Sequence, residues 1–539
     1  MDRKLAAAKA EALMWDQYYE HERKSVWAHL TRRHKVSRVA RSASELALPL
    51  HAKPVGELNL QQSMDWMAKA DQQRLIKMLA STSVVSGGAH KLLAPADDAA
   101  ELVRAGYCEE WQPSGQYSPL EYFSVIEIDK NRRRPIFWPK RLLSQSTYQS
   151  AFTLPSVDQY RKTVHAGNWA VAFDLSASFA QVALPAESRL AFKSSDGKLY
   201  RLRRLPYGID VAPEIMQLIT ECLAQRAAEG LSVTLRIHID NAMAVGERPA
   251  VEAWARQFKH LCQKASVTLN EEESNTPAQQ IEFVGIRFDF AQKRVSLKPR
   301  FVAKVRDAND DTTHEEFESL MGRLTYAYAV LGRSWLPLYF MIKWWRRRLS
   351  ALAKGERRWD ERLNAPPFVR AAVSTAVGVV QRNRPVDVQL DTAPQTVLAT
   401  DASKAGWGAV LMRRGSLPLS FGAKFDVPQE NITLAETAAV LGAFERFTAD
   451  LEGTTFTLLV DNTSTEAVLR SRKPGRSLAH AAVASSVLQR LVQLRATMYV
   501  TRVDTAANVA DEVSRGRRID SAKARECLEL GVAYDWAKG

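Results

Sequence analysis

Apolar and β-branched positions flank one short polar step, His238-Ile239-Asp240-Asn241, within residues 231–246. Two strand-like runs meeting at such a step predict a hairpin with Asp240 at its tip. Residues 170–184 form another strand-like run, and it carries Asp174. Between the two, Leu205-Pro206-Tyr207-Gly208 and then Ala212-Pro213 predict a turn entering a helix with proline at its start. Upstream, residues 124–143 read as strand, basic turn, strand, with Arg132, Arg133 and Arg134 in the turn. The first 36 residues lack glycine and proline and place Leu5, Ala8, Ala12, Trp15 and Tyr19 roughly on one face, which predicts a helix. Residues 42–120 give mixed helix and loop, with a break at Ser86-Gly87-Gly88.

The second half changes pattern. Residues 298–384 are helical and basic, and residues 383–391, with Pro385, read as a linker. Residues 396–412 predict strand, turn, strand, with Asp401 closing the first strand and Gly406 and Gly408 permitting the return. A helix over 433–447 carries Glu436 in its first turn. A buried strand over 456–460 ends at Asp461, and Asn508-Val509-Ala510-Asp511 opens a further helix.

Length and charge sharpen this picture. The 539 residues suffice for three or four domains, and a hydrophobic share of 46% supports real cores. Lys and Arg exceed Asp and Glu by 74 to 60, a formal charge of +14 that favours a polyanionic partner, nucleic acid first. The four cysteines (108, 222, 262 and 527) are too scattered for a zinc knuckle or a disulfide framework and fit a reducing compartment. No apolar run is long enough for a membrane span and the N-terminus is too charged for a signal peptide, so an intracellular site, cytoplasmic or nuclear, is expected. His21, His29 and His34 have no accompanying metal motif. The basic run Arg32, Arg33, Lys35, Arg38 and Arg41 reads as a solvated face or a nucleic-acid contact.

Asp174 and Asp240 converge if their strands are neighbours, and a divalent metal relieves the repulsion between them. In order, the chain offers Asp174 in FDLSASF, then LPYGIDVAP, IHIDN and Phe283-Val284-Gly285. Over roughly residues 126–324 this resembles the palm of a reverse transcriptase. The resemblance implies a metal set of Asp174, Leu175, Asp240 and Asn241, with Asp174 and Asp240 catalytic. It implies that Phe179 lies below the sugar and excludes a 2′-hydroxyl, and that Tyr207 and Gly208 face the nucleotide. It makes the arginine hairpin the fingers, with Arg134 matching the family's arginine and Arg132 and Arg133 offered to phosphate. Trp344, Trp345, Arg346 and Arg347 follow a thumb-like Leu320-Met321-Gly322-Arg323-Leu324. Aromatics beside cations suit stacking and phosphate contact, although tryptophan on a helix is also ordinary core. The chain departs from the family at Trp138 and Lys140, at Asn241 in place of a second Asp, and at Glu273 in place of a Lys. An amide keeps an oxygen ligand but loses its charge, so metal affinity should fall.

The second constellation resembles RNase H over residues 386–518. Asp401, Glu436, Asp461 and Asp511 fall on that family's Asp-Glu-Asp-Asp set, implying a cage for two Mg2+ ions, with Mn2+ also open. The family's frequent His before the last Asp is missing, and Thr501-Arg502-Val503-Asp504 occupies the region. NVADEVSR and TDASKAGWGA look most like the RNase H of retroelements, including the tyrosine-recombinase group (DIRS-like, Ngaro-like, VIPER-like) and LTR retrotransposons. The chain would be one part of a longer polyprotein.

The expected architecture is α/β (α+β), a right-hand polymerase followed by an RNase H-like mixed sheet. The expected boundaries are 1–120, an N-terminal helical extension; 121–300, fingers and palm; 301–385, thumb and connection; 386–519, RNase H; and 520–539, a tail. The implied partners are an RNA template, a DNA or RNA primer, the RNA–DNA hybrid and dNTPs, with no membrane. Two other readings stand beside it. One is an RNase H whose palm only binds nucleic acid, and the other is a non-enzymatic scaffold.

Overall fold

The computed structural model describes residues 5–6, 9, 39–40, 42–85, 88–127, 130–139, 148, 152–270, 276–333, 335, 338–388, 394–471 and 477–533. The expected N-terminal helix lies almost wholly outside the described residues, with its histidines and basic run, as do Lys140 and Glu273. The chain forms two compact units, residues 34–302 with 384–388, and residues 303–383 and 389–539 with 1–33. Both mix helix and strand, as expected for an α/β (α+β) protein.

The centre of the first unit is a three-stranded antiparallel sheet in the order Trp169–Asp174, Asn241–Gly246, Val233–His238. The helices Ala212–Ala227 and Arg248–Lys264 pack on it. The second is amphipathic, and its buried Trp254 and Phe258 meet Phe173 at ring separations of 5.8 and 5.2 Å. That apolar floor holds the strand end carrying Asp174 in place.

Residues 42–120 are not an extension. Strands Cys108–Glu110 and Ser118–Pro119 join Leu199–Leu202 and Leu190–Lys193 in one four-stranded sheet. Leu75, Met78 and Leu102 share the core with Phe173 and Ile215. A strap over residues 48–59 also binds two parts of the unit. His51 donates its N–H to the Arg133 carbonyl at 2.6 Å, and Leu58 donates to that of Gln181 at 2.9 Å.

The basic hairpin corrects the sequence reading. Its strands are Glu121–Glu127 and Arg132–Trp138, so the three arginines lie in a strand and not in the turn. Strand alternation then sends Arg133 to the opposite face from Arg132 and Arg134. Arg133 is buried in a bidentate pair with Asp98 at 2.8 and 2.9 Å, with further bonds to the Leu48 carbonyl and Ser124 Oγ. It is unavailable to phosphate. Breaking a buried pair strands the other charge. Asp98→Ala should therefore lower the stability of this unit by about 3 kcal/mol, read as a lower denaturant midpoint.

In the second unit the helices His314–Val330, Tyr339–Lys354 and Pro367–Arg382 precede a five-stranded sheet. Its order is Leu419–Lys424, Gly406–Arg413, Thr396–Ala402, Thr455–Val460, Thr497–Arg502. The first two pairings are antiparallel and the last two parallel. Two expectations are corrected here. Trp344 and Trp345 are buried, at 0% and 5% exposure, and pack on Phe317, so they offer no stacking platform. Arg346 is exposed and Arg347 half-buried on the same helix. The stretch expected as a tail is a helix over Ser521–Val532, which lies in the sheet's core, and residues 534–539 lie outside the described residues. Gly531 lies against Val397 and its carbonyl accepts from Thr457 Oγ1 at 2.8 Å. The expected linker contains a strand, Val386–Asp387, which pairs with Arg294–Leu297 of the first unit.

Candidate active sites

In the first unit a two-residue turn, Ile239-Asp240, joins the strands of the predicted hairpin. Ile239 sits at φ +59°, a costly conformation for a β-branched residue. Its N–H donates to Gln217 Oε1 at 2.6 Å, so the Ala212–Ala227 helix holds the turn. Asp174 is the cross-strand partner of Asn241, which brings Asp174, Asp240 and Asn241 to one sheet end. Asp240 accepts from Ser178 Oγ at 2.7 Å and from Asn241 Nδ2 at 3.0 Å. Its carbonyl accepts the Leu175 N–H at 3.1 Å. Asn270 Nδ2 lies 3.4 Å from Asp174 Oδ2. Two carboxylates and an amide oxygen are an oxygen-only donor set that suits a hard divalent cation.

Around that pair the nucleotide candidates assemble. Phe179 and Tyr207 have ring centroids 4.7 Å apart, and the Arg134 guanidinium lies 4.9 Å over the Tyr207 ring. Burial raises the Tyr207 phenol above its ordinary range, with Arg134 opposing and Asp240 adding to the shift. Gly208 is at φ +115°, and a Cβ there would stand 2.4 Å from the Phe137 carbonyl oxygen. Glycine thus lets this turn dock on the arginine hairpin, where Phe137 N–H donates to the Tyr207 carbonyl at 2.8 Å. Arg132 is tied to Glu127 at 2.6 Å and to His51 Nδ1 at 2.8 Å.

The second unit brings three acidic residues together. Ligand oxygens of Asp401, Glu436 and Asp461 lie within 4.8 Å of one another. Asp401 is on the central strand, Asp461 follows the neighbouring parallel strand, and Glu436 is on the helix Ile432–Arg446. Asn431 caps that helix, which places Glu436 just past the first turn. Asn462 Oδ1 accepts from the N–H groups of Ser464 and Thr465, both at 3.0 Å, and so starts the helix beyond Asp461.

Asp511, expected as the fourth member, is not in that group of three; it is on the short helix Ala510–Ser514, near enough for its charge to act on Asp401. That helix lies on glycines: a Cβ at Gly408 would meet Ser514 N at 2.4 Å, and one at Gly422 would meet the Val513 carbonyl at 2.7 Å. Gly408 is also the cross-strand partner of Asp401. Gly406 and Gly408, expected to permit a tight return, both lie within the strand Gly406–Arg413, and Gly408 and Gly422 serve a close approach of backbone to backbone. Gly408→Ala should push the Asp511 helix off the sheet and cut any hydrolytic activity of this unit about tenfold or more. The Asp240 site serves as an unaffected internal control.

Electrostatics mark the cluster as built for a counter-ion. Burial, then the nearby Asp401 and Asp461, push the Glu436 carboxyl up to about 9. Burial pushes Asp401 up to about 6, against a hydrogen bond from Ser514 Oγ at 2.5 Å, with Asp461 and Asp511 adding to the rise. Among the described residues Glu436 Oε2 is buried with no hydrogen-bond partner. An orphaned carboxylate oxygen among other acids fits a divalent cation. Asp511 is held by Arg515 at 2.9 Å.

Sequence reasoning missed three supports. Ser514 bonds Asp401. Asn508 is buried, donates to the Thr400 carbonyl at 3.0 Å and accepts the Ala510 N–H at 3.1 Å, so it sets the start of the Asp511 helix. Arg515 pairs with Asp511. Only the string NVADEVSR hinted at them.

Residues 391–488 match the model of the RNase H-like domain found in reverse transcriptase. A 302-residue stretch is 24% identical to Polyprotein P3 of Commelina yellow mottle virus, covering 54% of this chain and 15% of that polyprotein. The chain is also similar to solved structures of a foamy viral protease-reverse transcriptase. One, in complex with double-stranded DNA, is 15% identical with a TM-score of 0.44, covering 84% of this chain and 99% of the other. One with an RNA/DNA hybrid is 14% identical with a TM-score of 0.46, covering 84% and 64%. Among the described residues no helix is long and apolar enough to cross a membrane.

Proposed function

We propose that the chain is the reverse transcriptase–RNase H portion of a retroelement polyprotein, grouped with the tyrosine-recombinase or LTR elements. It copies an RNA template from a DNA or RNA primer and degrades the RNA strand of the hybrid. Residues 34–302 act as fingers and palm, the helices over 303–383 as thumb and connection, and residues 394–533 as RNase H. The convergence of Asp401, Glu436 and Asp461 within 4.8 Å, inside the stretch that matches the RNase H-like model, carries this reading.

Asp401, Glu436, Asp461 and Asp511 hold two divalent ions, Mg2+ or Mn2+, and Asp174, Asp240, Asn241 and the Leu175 carbonyl hold the palm pair. Bound ions of this kind neutralise phosphate charge and activate an oxygen nucleophile. The chain supplies the rest. Tyr207 and Phe179 form the floor under the nucleotide. Arg134, fixed over Tyr207, faces its phosphates. Ser178 and Asn241 orient Asp240, and Ser514 orients Asp401.

A second reading, a palm that binds nucleic acid without polymerising, draws on Asn241, which lacks the negative charge of a second aspartate. One assay separates the two. On a primed, 5′-labelled RNA with dNTPs, in Mg2+ and separately in Mn2+, the leading reading expects primer extension and RNA shortening. RNA shortening without extension selects the second reading. Intact RNA together with an unextended primer in both ions overturns the enzymatic assignment.

A further inference from the structure

The three arginines of the hairpin are already engaged by carboxylates. Arg133 is committed to Asp98, and Arg132 and Arg134 both end on Glu127, at 2.6 and 2.5 Å. A cation from elsewhere stands at the palm. Lys53, on the strap over residues 48–59, is exposed, and its Nζ donates to Ser176 Oγ at 3.0 Å. Ser176 lies two residues after Asp174 and two before Ser178, whose hydroxyl holds Asp240. The loop beneath it is fixed: Ser176 N–H donates to the Thr268 carbonyl at 3.0 Å, and its carbonyl accepts from Gln181 Nε2 at 2.7 Å.

The strap is equally anchored. Tyr107 Oη donates to the Lys53 carbonyl at 3.0 Å, and His51 N–H is bonded to Arg133. Among the described residues Lys53 has no carboxylate partner, so its charge is uncompensated. An ammonium held by a neutral hydroxyl, two residues along the chain from Asp174, exchanges that hydroxyl for a phosphate oxygen at little cost, and the charge-assisted bond it gains is the stronger one.

We propose that Lys53 is a ligand of the incoming nucleotide's triphosphate, supplied from the N-terminal strap. This rests on the polymerase reading. Lys53 lies in residues 42–120, where the sequence pattern assigned no chemistry.

The test is single-nucleotide incorporation of dTTP on a primed RNA. Lys53→Ala should raise KM for dTTP about tenfold and leave kcat within about twofold, because the lost contact is present before and during reaction. Lys53→Arg should restore most of the affinity. An unchanged denaturant midpoint in Lys53→Ala serves as the folding control for this unit. Binding is read separately, as dTTP-dependent retention of a dideoxy-terminated primer–template, and should weaken in parallel. An unchanged KM and unchanged retention in Lys53→Ala overturn the proposal. So does Ser176→Ala reproducing the Lys53→Ala defect, since that marks a lysine that merely braces the loop. Wild type that neither extends nor retains primer in response to dTTP overturns the polymerase reading itself, and Lys53 as nucleotide ligand falls with it.

Discussion

Asp240→Ala should lower nucleotide incorporation about a thousandfold or more while leaving RNA cleavage at the wild-type rate. A carboxylate that anchors an ion at a developing charge contributes several kcal/mol to the barrier, and this palm has no charge to spare. Its third position is Asn241, whose Nδ2 already donates to Asp240. Removing Asp240 therefore leaves Asp174 as the one anionic group of the set, with neutral Ser178 and Asn241 left unpartnered. The cleavage site is unaffected because its acidic residues belong to the other compact unit. Primer extension read beside hybrid degradation on one preparation measures both. Equal extension by wild type and variant would remove the polymerase assignment. The converse substitution, Asn241→Asp, restores a charge opposite Asp174. It should lower the Mg2+ concentration needed for half-maximal extension and narrow any preference for Mn2+.

The parts of these sites that were legible in the sequence are those set by local pattern. A polar step between apolar runs placed Asp240 on a turn. A strand-like run ending in an acidic residue placed Asp174 and Asp461, and Pro213 marked the start of the helix that carries Gln217. What escaped was set by partners remote in sequence. The hairpin arginines form an ordinary basic run until Asp98, 35 residues upstream, claims Arg133. Trp344 and Trp345 beside three arginines have the composition of a stacking surface, yet both indoles pack against Phe317 of the preceding helix. Gly408 fits a turn by local rules, whereas its larger constraint is the Ser514 backbone, more than a hundred residues away. The final helix is half apolar, and its place in the core is set by remote partners: Gly531 meets Val397, and Ala524 and Cys527 are buried with Val397 and Leu459. Lys53 has no local signature. Its position follows from a strap held at Arg133, Tyr107 and Gln181 together.

Asp461→Asn is the mirror experiment, expected to slow RNA cutting about a thousandfold with extension intact. Its second readout is independent of turnover. Burial and the neighbouring acids hold the Glu436 carboxyl at about 9 and Asp401 at about 6, both above their values in an unfolded chain. The metal-free fold thus binds more protons than the unfolded chain from about pH 4.3 up to those folded values. Stability must fall as pH rises across that window. Divalent ions act in the opposite direction, because they bind the ionised cluster and displace its protons. The rise in Tm on adding Mg2+ should therefore grow from pH 6 to pH 9, and Asp461→Asn, which removes one negative charge from the cage, should diminish it. Glu436→Gln removes the group that resists ionisation most. It should raise the metal-free Tm at pH 8 and abolish most of the pH dependence, at the expense of cleavage. An Mg2+ response that is flat with pH in wild type, or hybrid degradation undiminished in Asp461→Asn, would separate this acidic cluster from metal binding and leave it a structural feature of the sheet.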